Sequence, residues 1–317
     1  MNIKLTDPRL LFKPDGRLEW QQEFAQIPFG YVEGKTLRVI FATRRVKDNS
    51  GNYNSFPAQA VFSLEDFSLL SLDQSPLMDL GQPGCFDESG VMPGSILKLD
   101  SGQVAMYYCG WSRSMIVPYR WSIGVAYLNE EGRFQRKSIG PIIGQSSDHP
   151  YLTASPVVSF SLESGYEMFH LTGISWSLIQ GKYEACYRIT KSHSIDGINW
   201  RASKSLMQSV FWEDECQTSP NIIKIGSKRY MTFSYRSQLG FRAHLDRNYK
   251  SALAEEITPN NWKVVQKIIG VTDASSQRFD IAYLNTFEYE GNFYGLYNYS
   301  MGFGTSGIYI AKVELSN

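Results

Sequence analysis

The sequence predicts an all-β protein built as a five-bladed β-propeller, with four antiparallel strands in each blade. The first supporting observation is an internal repeat of about 64 residues, which runs through most of the 317-residue chain. The second is an aromatic content of 14%, because flat rings pack well on the pleated surface of a sheet. The third is the near absence of helical hydrophobic patterns along the chain.

A proline near the start of a short apolar strand marks the repeat. It recurs at Pro28, Pro93, Pro156 and Pro220, with separations of 65, 63 and 64 residues. One further step of 64 residues reaches Leu284, where the strand pattern remains but the proline is absent. These five positions therefore predict the first strand of each repeat.

The second strand of each repeat follows in phase with the first. Its copies are LRVIFATR at Leu37–Arg44, VAMYYCGW at Val104–Trp111, YEMFHLTG at Tyr166–Gly173, YMTFSYRS at Tyr230–Ser237 and FYGLYNYS at Phe293–Ser300. Apolar residues align within them at spacings of 66, 62, 64 and 63 residues, and these are Phe41, Tyr107, Phe169, Phe233 and Leu296. A third strand follows in every copy, and an aromatic residue marks an outer strand in repeats two to four, at Phe134, Trp200 and Trp262.

A unit of four short strands cannot bury both of its faces alone, whereas radial packing of five such units solves this and protects the sheet edges. The last repeat has only three strands, so we expect an N-terminal strand at Leu10–Lys13 to complete it. One domain, 1–317, is predicted, with blades at about 20–80, 85–145, 148–210, 213–270 and 278–317 plus 8–13. The alternative is a pair of β-sandwiches, which do not repeat at one fixed period.

Charge and cysteine content narrow the class of protein. Lys+Arg and Asp+Glu are both 31, which argues against a nucleic-acid surface or a polybasic membrane contact. The four cysteines lack metal-ligand spacing and are expected to be buried thiols. There is no signal-peptide pattern and no apolar run of membrane-spanning length, so we expect a cytoplasmic protein. No cofactor is implied; a calcium ion in the channel is conceivable, although no ligand loop argues for it.

Carboxylates recur just before the strand markers. The position five residues before the marker holds Glu23, Glu88, Tyr151 and Glu215, and Asp280 precedes Leu284 by four residues. Asp87, Asp148 with His149, and Asp214 lie beside these positions. In a propeller the loops that lead into the innermost strands meet at one mouth of the channel, so we expect these acids to converge there.

Converging carboxylates suit chemistry at a glycosidic bond. Neighbouring acids split their pKa values, so that one protonates the leaving oxygen while another activates water or attacks the anomeric carbon. The predicted catalytic residues are Glu215, Asp87, Glu88 and Asp280. The alternative is that these acids cap turns or pair with Arg44, Arg236 and Arg278.

Polar side chains at the ends of the second strands predict a binding role. Arg44 and Arg236 stand 192 residues apart, which is three repeats, and could hold an acidic sugar or a phosphate. Equally, they could pair with Glu215 and Asp280 and only stiffen the mouth. The full set of predicted substrate-binding residues is Arg44, His149, His170, Arg236, Arg278, Glu23 and Trp111.

Four short motifs carry a family resemblance: FDESGVMPGSI (Phe86–Ile96), SHSIDGINW (Ser192–Trp200), DECQTSPNII (Asp214–Ile223) and RFDIAY (Arg278–Tyr283). With them the chain resembles five-bladed propeller carbohydrate enzymes, namely glycoside hydrolase families 32 and 43 and the mannoside phosphorylases of family 130. It looks most similar to glycosidase-like propeller proteins associated with bacterial surface-polysaccharide clusters.

The resemblance implies roles for individual residues. In the hydrolase families an Asp on the first blade is the nucleophile or base, an Asp on the second blade tunes the site, and a Glu on the third blade is the acid. Asp87 resembles the second of these and Glu215 resembles the acid. By repeat count, however, Glu215 falls on the fourth blade, and Gln26 stands where the first-blade Asp is expected. Phosphorolysis, glycosyl transfer and a degenerate binding protein therefore stay open beside hydrolysis.

The sequence thus favours an enzyme that acts on a glycosidic bond, with Glu215 as proton donor and a saccharide or glycoconjugate as its partner. The first alternative is a non-catalytic carbohydrate-binding propeller. The second is a protein-interaction propeller, although the chain lacks the usual Trp-Asp dipeptides at blade ends. The oligomeric state is not predicted.

Overall fold

A computed structural model describes residues 1–99, 101–259, 261–272, 278–300 and 307–316. Within these ranges the chain forms twenty β-strands and no α-helix. The chain divides into two compact units. Unit 1 comprises Met1–Pro76, Asn221–Arg236 and Gly240–Asn317, and unit 2 comprises Leu77–Pro220 and Ser237–Leu239.

Hydrogen-bonded pairing joins the strands into two eight-stranded sheets and one four-stranded sheet. In chain order the strands form groups of four that match the sequence repeat. The first strand is β1 (Asn2–Phe12), and the first group that follows is β2 (Glu23–Glu33), β3 (Thr36–Arg44), β4 (Ser55–Ser63) and β5 (Leu69–Leu72). The second group is β6 (Gly90–Lys98), β7 (Val104–Ser112), β8 (Arg120–Leu128) and β9 (Phe134–Arg136). The third group is β10 (Thr153–Ser161), β11 (Gly165–Ile179), β12 (Lys182–Ser194) and β13 (Arg201–Leu206).

The fourth group is β14 (Glu215–Ile225), β15 (Lys228–Ser237), β16 (Lys250–Thr258) and β17 (Asn261–Thr272). The fifth is β18 (Arg278–Tyr289), β19 (Asn292–Tyr299) and β20 (Ile308–Ser316), and β1 is its fourth strand. β1 pairs antiparallel with β20 from Asn2 opposite Ser316 to Phe12 opposite Ile308. The N-terminal strand therefore completes the last group, and it begins eight residues earlier than the predicted Leu10.

The aligned apolar residues of the repeat occupy the second strand of each group. All five are at most 3% exposed, namely Phe41, Tyr107, Phe169, Phe233 and Leu296. In unit 1, Phe41 and Leu296 join one buried cluster together with Leu37. In unit 2, Tyr107 packs with Val125 and Met168. The repeat in the sequence is thus the spacing of the buried second strand of each group.

The markers of the first strands coincide with β-bulges. The residue directly before the marker has a positive φ in four of the five groups, at Ile27 (55°), Ser155 (53°), Ser219 (49°) and Tyr283 (59°). The strand register shifts at this place in β2, β6, β10 and β18. A bulge bends its strand and re-aims the neighbouring side chains. The periodic proline is therefore one sign of a repeated bend at the start of each sheet.

Candidate functional site

Glu215 is the first residue of β14 and lies in unit 2, where its side chain is fully buried. Its Oε2 atom accepts hydrogen bonds from the backbone nitrogens of Val210 at 3.2 Å and Phe211 at 2.9 Å. Its Oε1 atom accepts a hydrogen bond from Nε2 of Gln217 at 2.8 Å. Both carboxylate oxygens are therefore held by N–H donors of the segment that leads into and begins β14.

The side chain of Asp214 contacts the end of β15 and meets different donors from its neighbour Glu215. Its Oδ2 atom accepts hydrogen bonds from the hydroxyl of Ser237 at 2.5 Å and from the backbone nitrogen of Leu239 at 2.8 Å. Its carbonyl oxygen accepts from the backbone nitrogen of Gln238 at 2.8 Å. Asp214 thus anchors the end of β15 within unit 2.

Asp87 is fully buried in unit 2, just before β6. Its Oδ2 atom accepts hydrogen bonds from Nε of Arg136 at 2.7 Å and from the hydroxyl of Tyr108 at 3.1 Å. Within the described part of the chain, its Oδ1 atom has no hydrogen-bond partner. Burial and the Asp87 charge raise the pKa of Tyr108. The partner of Asp87 is thus an arginine that the sequence analysis did not single out.

Glu88 makes its hydrogen bond to the turn that directly precedes it in the chain. Its carboxylate accepts a hydrogen bond from the backbone nitrogen of Gly84 at 2.6 Å. Trp111, at the far end of β7, lies opposite Trp121 of β8 and packs against the backbone at Gly90. A Cβ atom at position 90 would lie 1.7 Å from the indole nitrogen of Trp111, so a glycine is required there.

The two predicted histidines meet in unit 2. The rings of His149 and His170 lie 5.3 Å apart between centroids. His170 is fully buried, with Nε2 2.8 Å from the hydroxyl of Ser192 and Nδ1 3.1 Å from the carbonyl oxygen of Leu171. Nδ1 of His149 lies 3.0 Å from the hydroxyl of Thr172. Burial lowers the pKa of both rings, that of His170 to about 3.

In unit 1, Asp280 and Arg278 lie near the start of β18 without pairing with each other. Asp280 forms an ion pair with Lys250, the first residue of β16. Arg278 donates a hydrogen bond from Nη2 to the carbonyl oxygen of Ile268 at 2.8 Å. The predicted alternative partners of the acids are arginines, whereas Asp280 pairs with a lysine.

Glu23 and Arg44 come together in unit 1, where they face each other across β2 and β3. Oε2 of Glu23 accepts a hydrogen bond from the hydroxyl of Tyr53 at 2.8 Å. The guanidinium carbon of Arg44 lies 4.5 Å from the ring centroid of Phe24 and 5.2 Å from that of Tyr53. Burial lowers the pKa of Arg44, and Tyr53, Tyr283 and Glu23 act in the opposite direction.

Arg236 occupies a second aromatic setting in unit 1. It is 2% exposed, and its guanidinium carbon lies 3.7 Å from the ring centroid of Phe241. Its Nε donates to the hydroxyl of Tyr249 at 3.3 Å, and the rings of Tyr249 and Tyr283 lie 5.3 Å apart. Burial and Tyr249 raise the pKa of Tyr283, while the charges of Arg236 and Arg44 lower it. The two predicted arginines therefore act on one phenol.

Several residues of these settings were not predicted as site residues, namely Tyr53, Tyr249, Phe241, Arg136 and Lys250. Tyr283 was also not predicted as a site residue, although its position directly before the fifth repeat marker was a signal.

Among the residues that the structure describes, no three His, Cys, Asp or Glu side chains gather as a metal site requires. The same residues include no helix with the length and hydrophobicity needed to cross a bilayer. A surface pocket of about 410 Å³ in unit 1 contains none of the predicted site residues.

No protein-family model matches the chain. A curated relative, the uncharacterized protein Rv1502 of Mycobacterium tuberculosis, is 25% identical over 311 residues. The match covers 96% of this chain and 97% of the relative. The likeness therefore extends along both proteins from end to end and assigns no activity.

Solved structures of glycoside hydrolases share the fold. A structure described as a complex of BT0996 with RGII has a TM-score of 0.72 at 14% identity, covering 99% of this chain and 93% of that one. A thermostable family-43 glycoside hydrolase has a TM-score of 0.66 at 12% identity, with 96% and 94% covered. A structure from the family 130 mannoside phosphorylases, described as containing hydrolases of β-1,2 mannosidic linkages in Candida mannan, has a TM-score of 0.65 at 13% identity, with 96% and 94% covered.

The all-β architecture and the likeness to propeller glycoside hydrolases of families 43 and 130 are thus confirmed at the level of the fold. The positions and partners of the carboxylates described above are observed in this chain and are not inferred from the solved structures.

Proposed function

We propose that the protein is a glycoside-active enzyme, and that its five four-stranded groups form one five-bladed propeller. The observation that carries the proposal is the shared fold with glycoside hydrolases over 96–99% of the chain. The recurrence of acids at the start of first strands supports it. Glu23 and Glu215 are the first residues of β2 and β14, and Asp280 is the third residue of β18.

Glu215 is the proposed proton donor to the leaving oxygen. General acid catalysis by a carboxyl group requires that it holds a proton and reaches the glycosidic oxygen. The backbone N–H groups that donate to Oε2 of Glu215 lie in the segment 207–214. This segment contains two partly exposed aromatic rings, Phe211 and Trp212. A displacement of this segment would free Oε2 for a substrate. The carboxylate that activates the nucleophile is proposed to be Asp87, Glu88 or Asp280.

A second candidate function is carbohydrate binding without turnover. The observation that favours it is that each predicted acid already has a partner in the protein. Asp87 meets Arg136, Asp280 meets Lys250, and Glu215 meets backbone and amide N–H groups. Acids that already have partners in the protein suit a structural role as well as they suit catalysis.

The deciding experiment is a turnover assay on aryl glycosides and oligosaccharides, with and without inorganic phosphate. An enzyme releases product, and a dependence on phosphate identifies phosphorolysis. Turnover should be lost in Glu215→Gln and kept in Glu213→Gln, the matched exposed residue two positions earlier. Saccharide binding without product from any substrate of the panel would favour the second candidate.

A further inference from the structure

Arg44 is a partly buried cation that makes no hydrogen bond through its side chain within the described part of the chain. A guanidinium group carries five N–H donors, and such donors are normally satisfied when they leave water. Other arginines of the protein follow this rule, because Arg38 meets Glu33 at 2.6 Å and Arg136 meets Asp87 at 2.7 Å. Arg44 instead lies over the faces of Phe24 and Tyr53.

The nearest acid does not neutralise Arg44 through a direct ion pair. Glu23 lies opposite Arg44 in the strand register, but no nitrogen of Arg44 comes within 4.0 Å of its carboxylate. Oε2 of Glu23 instead accepts the hydroxyl of Tyr53 at 2.8 Å. The guanidinium of Arg44 thus meets two aromatic rings by cation–π contact, which does not occupy its N–H donors.

A second cation strengthens the positive field at this place in unit 1. Arg236 is 2% exposed over Phe241, and its charge and that of Arg44 both act on the phenol of Tyr283. Glu23 is the carboxylate that lies opposite Arg44, and Arg236 is a second guanidinium that acts on the same phenol. Charges in partly buried positions are screened little by salt, so the field persists under physiological conditions.

The fold places the cluster where a ligand can reach it. Arg44 ends β3, Tyr283 is the left-handed residue of the β18 bulge, and β18 packs against β2. Arg44, Tyr53 and Tyr283 are each partly exposed, whereas Arg236 is buried behind Tyr249 and Phe241. Arg44 therefore offers the contact, and Arg236 adds charge from the interior.

We propose that this cluster binds an anionic group of a saccharide, a carboxylate or a phosphate ester, on the guanidinium of Arg44. The inference rests on the proposed function for its carbohydrate chemistry. A planar guanidinium matches two oxygens of either anion, and hydrogen bonds between ionised partners are about twice as strong as neutral ones. A neutral hydroxyl would leave the cation without a counter-charge in a partly dry setting.

The experiment measures binding by calorimetry to glucuronic acid, glucose 6-phosphate, glucose and inorganic phosphate. We expect at least one of the two acidic sugars to bind about tenfold more tightly than glucose, the effect of one charge-assisted contact. Binding of only one of them tells carboxylate from phosphate. Arg44→Gln should abolish the preference for the acidic sugar. Arg44→Lys should keep part of it, and Arg38→Gln, on the same strand, should keep all of it.

Circular dichroism and thermal unfolding establish that each variant is folded, and Arg44→Lys keeps the charge and most of the packing if Arg44→Gln does not fold. Equal affinity for glucose and both acidic sugars would overturn the inference, as would binding of inorganic phosphate alone. Tight binding of an acidic sugar without turnover of any glycoside would support the inference and defeat only the enzymatic proposal. Turnover of neutral glycosides without any preference for acidic ones would support the enzymatic proposal and overturn the inference about Arg44.

Discussion

The Oε2 atom of Glu215 lies 2.9 Å from the backbone nitrogen of Phe211, four residues earlier in the chain. The same oxygen accepts the backbone N–H of Val210, so one carboxylate fixes the segment that precedes its own strand. Glu215 therefore has a structural role whether or not it transfers a proton. Experiments on this residue need to separate the two roles.

We predict that Glu215→Gln lowers the free energy of unfolding by about 1–3 kcal/mol and leaves the protein folded. The amide oxygen can accept from Val210 and Phe211, but the amide nitrogen then faces Nε2 of Gln217, which is also a donor. Urea unfolding measures this loss. Glu213→Gln, an exposed change, should stay within about 0.5 kcal/mol of the parent protein.

The two roles separate in a product assay on the same folded Glu215→Gln variant. Loss of turnover by a thousandfold or more, about 4 kcal/mol, would exceed the stability change and support proton donation. Full turnover in the folded variant would remove Glu215 as the acid.

The ion pair of Asp87 with Arg136 predicts a larger stability change. Asp87→Asn removes the charge from a fully buried position and leaves Arg136, which is 22% exposed, without its charged partner. Breaking a buried pair costs about 3–5 kcal/mol, and we expect about 3 kcal/mol here because Arg136 retains some solvent. Denaturant unfolding of the single variant measures it.

The exposed pair of Arg133 with Asp79 is the control. It has a similar separation of 2.8 Å with side chains that are 36% and 80% exposed, so Arg133→Gln should cost less than about 1 kcal/mol. Equal losses at the buried and the exposed pair would contradict the argument from burial.

The repeat could be predicted because each sheet buries the same place in its second strand. Phe41 and Leu296 keep that spacing although the residue type differs, since burial selects an apolar side chain and not a particular one. The first-strand markers could be predicted for a related reason. Pro28 and Pro156 follow left-handed residues at a bulge, and that bend recurs at Tyr283 even though the proline is gone.

The partners of the acids could not be predicted in the same way. Arg136 reaches Asp87 from β9, 49 residues later, and Lys250 reaches Asp280 from β16, 30 residues earlier. Neither distance is a multiple of the repeat, so alignment of the copies does not reveal these pairs. Side-chain pairing depends on the path of individual loops and outer strands, which the internal repeat does not encode.

The buried histidine pair predicts a loss of stability in acid. The pKa of His170 in the folded protein is lowered to about 3, while an unfolded chain has about 6.5. The unfolded state therefore binds more protons between these values, and stability is present above pH 6.5 and is lost as the pH falls toward 3. From pH 7 to pH 5.5 one such histidine costs about 1 kcal/mol.

Urea unfolding at pH 7 and pH 5.5 measures this change. His170→Gln should flatten the pH dependence by about 1 kcal/mol, because glutamine does not titrate and can still reach Ser192. His193→Gln, an exposed histidine on the same strand as Ser192, is the control and should leave the pH dependence as it is. The same slope in the parent protein and in His170→Gln would show that another group is responsible.

Asn298 offers the sharpest test of how unit 1 is held together. Its side chain is 1% exposed, accepts the backbone N–H of Ile27 at 3.1 Å, and donates to the carbonyl oxygens of Ala25 at 2.7 Å and Gly307 at 2.9 Å. Asn298→Ala leaves three backbone groups unpaired, so we expect a loss of about 3 kcal/mol or more in the free energy of unfolding.

The matched change is Asn292→Ala, on the same strand, where the amide makes one exposed hydrogen bond to Glu290 at 3.2 Å. It should cost less than about 1 kcal/mol. Asn298→Asp keeps the shape but turns two donors into an acceptor that faces the carbonyl oxygens of Ala25 and Gly307. It should therefore be at least as damaging as Asn298→Ala, because repulsion is added to the lost bonds. If Asn298→Asp were as stable as the parent protein, the hydrogen bonds to the β2 bulge would not be what joins these strands.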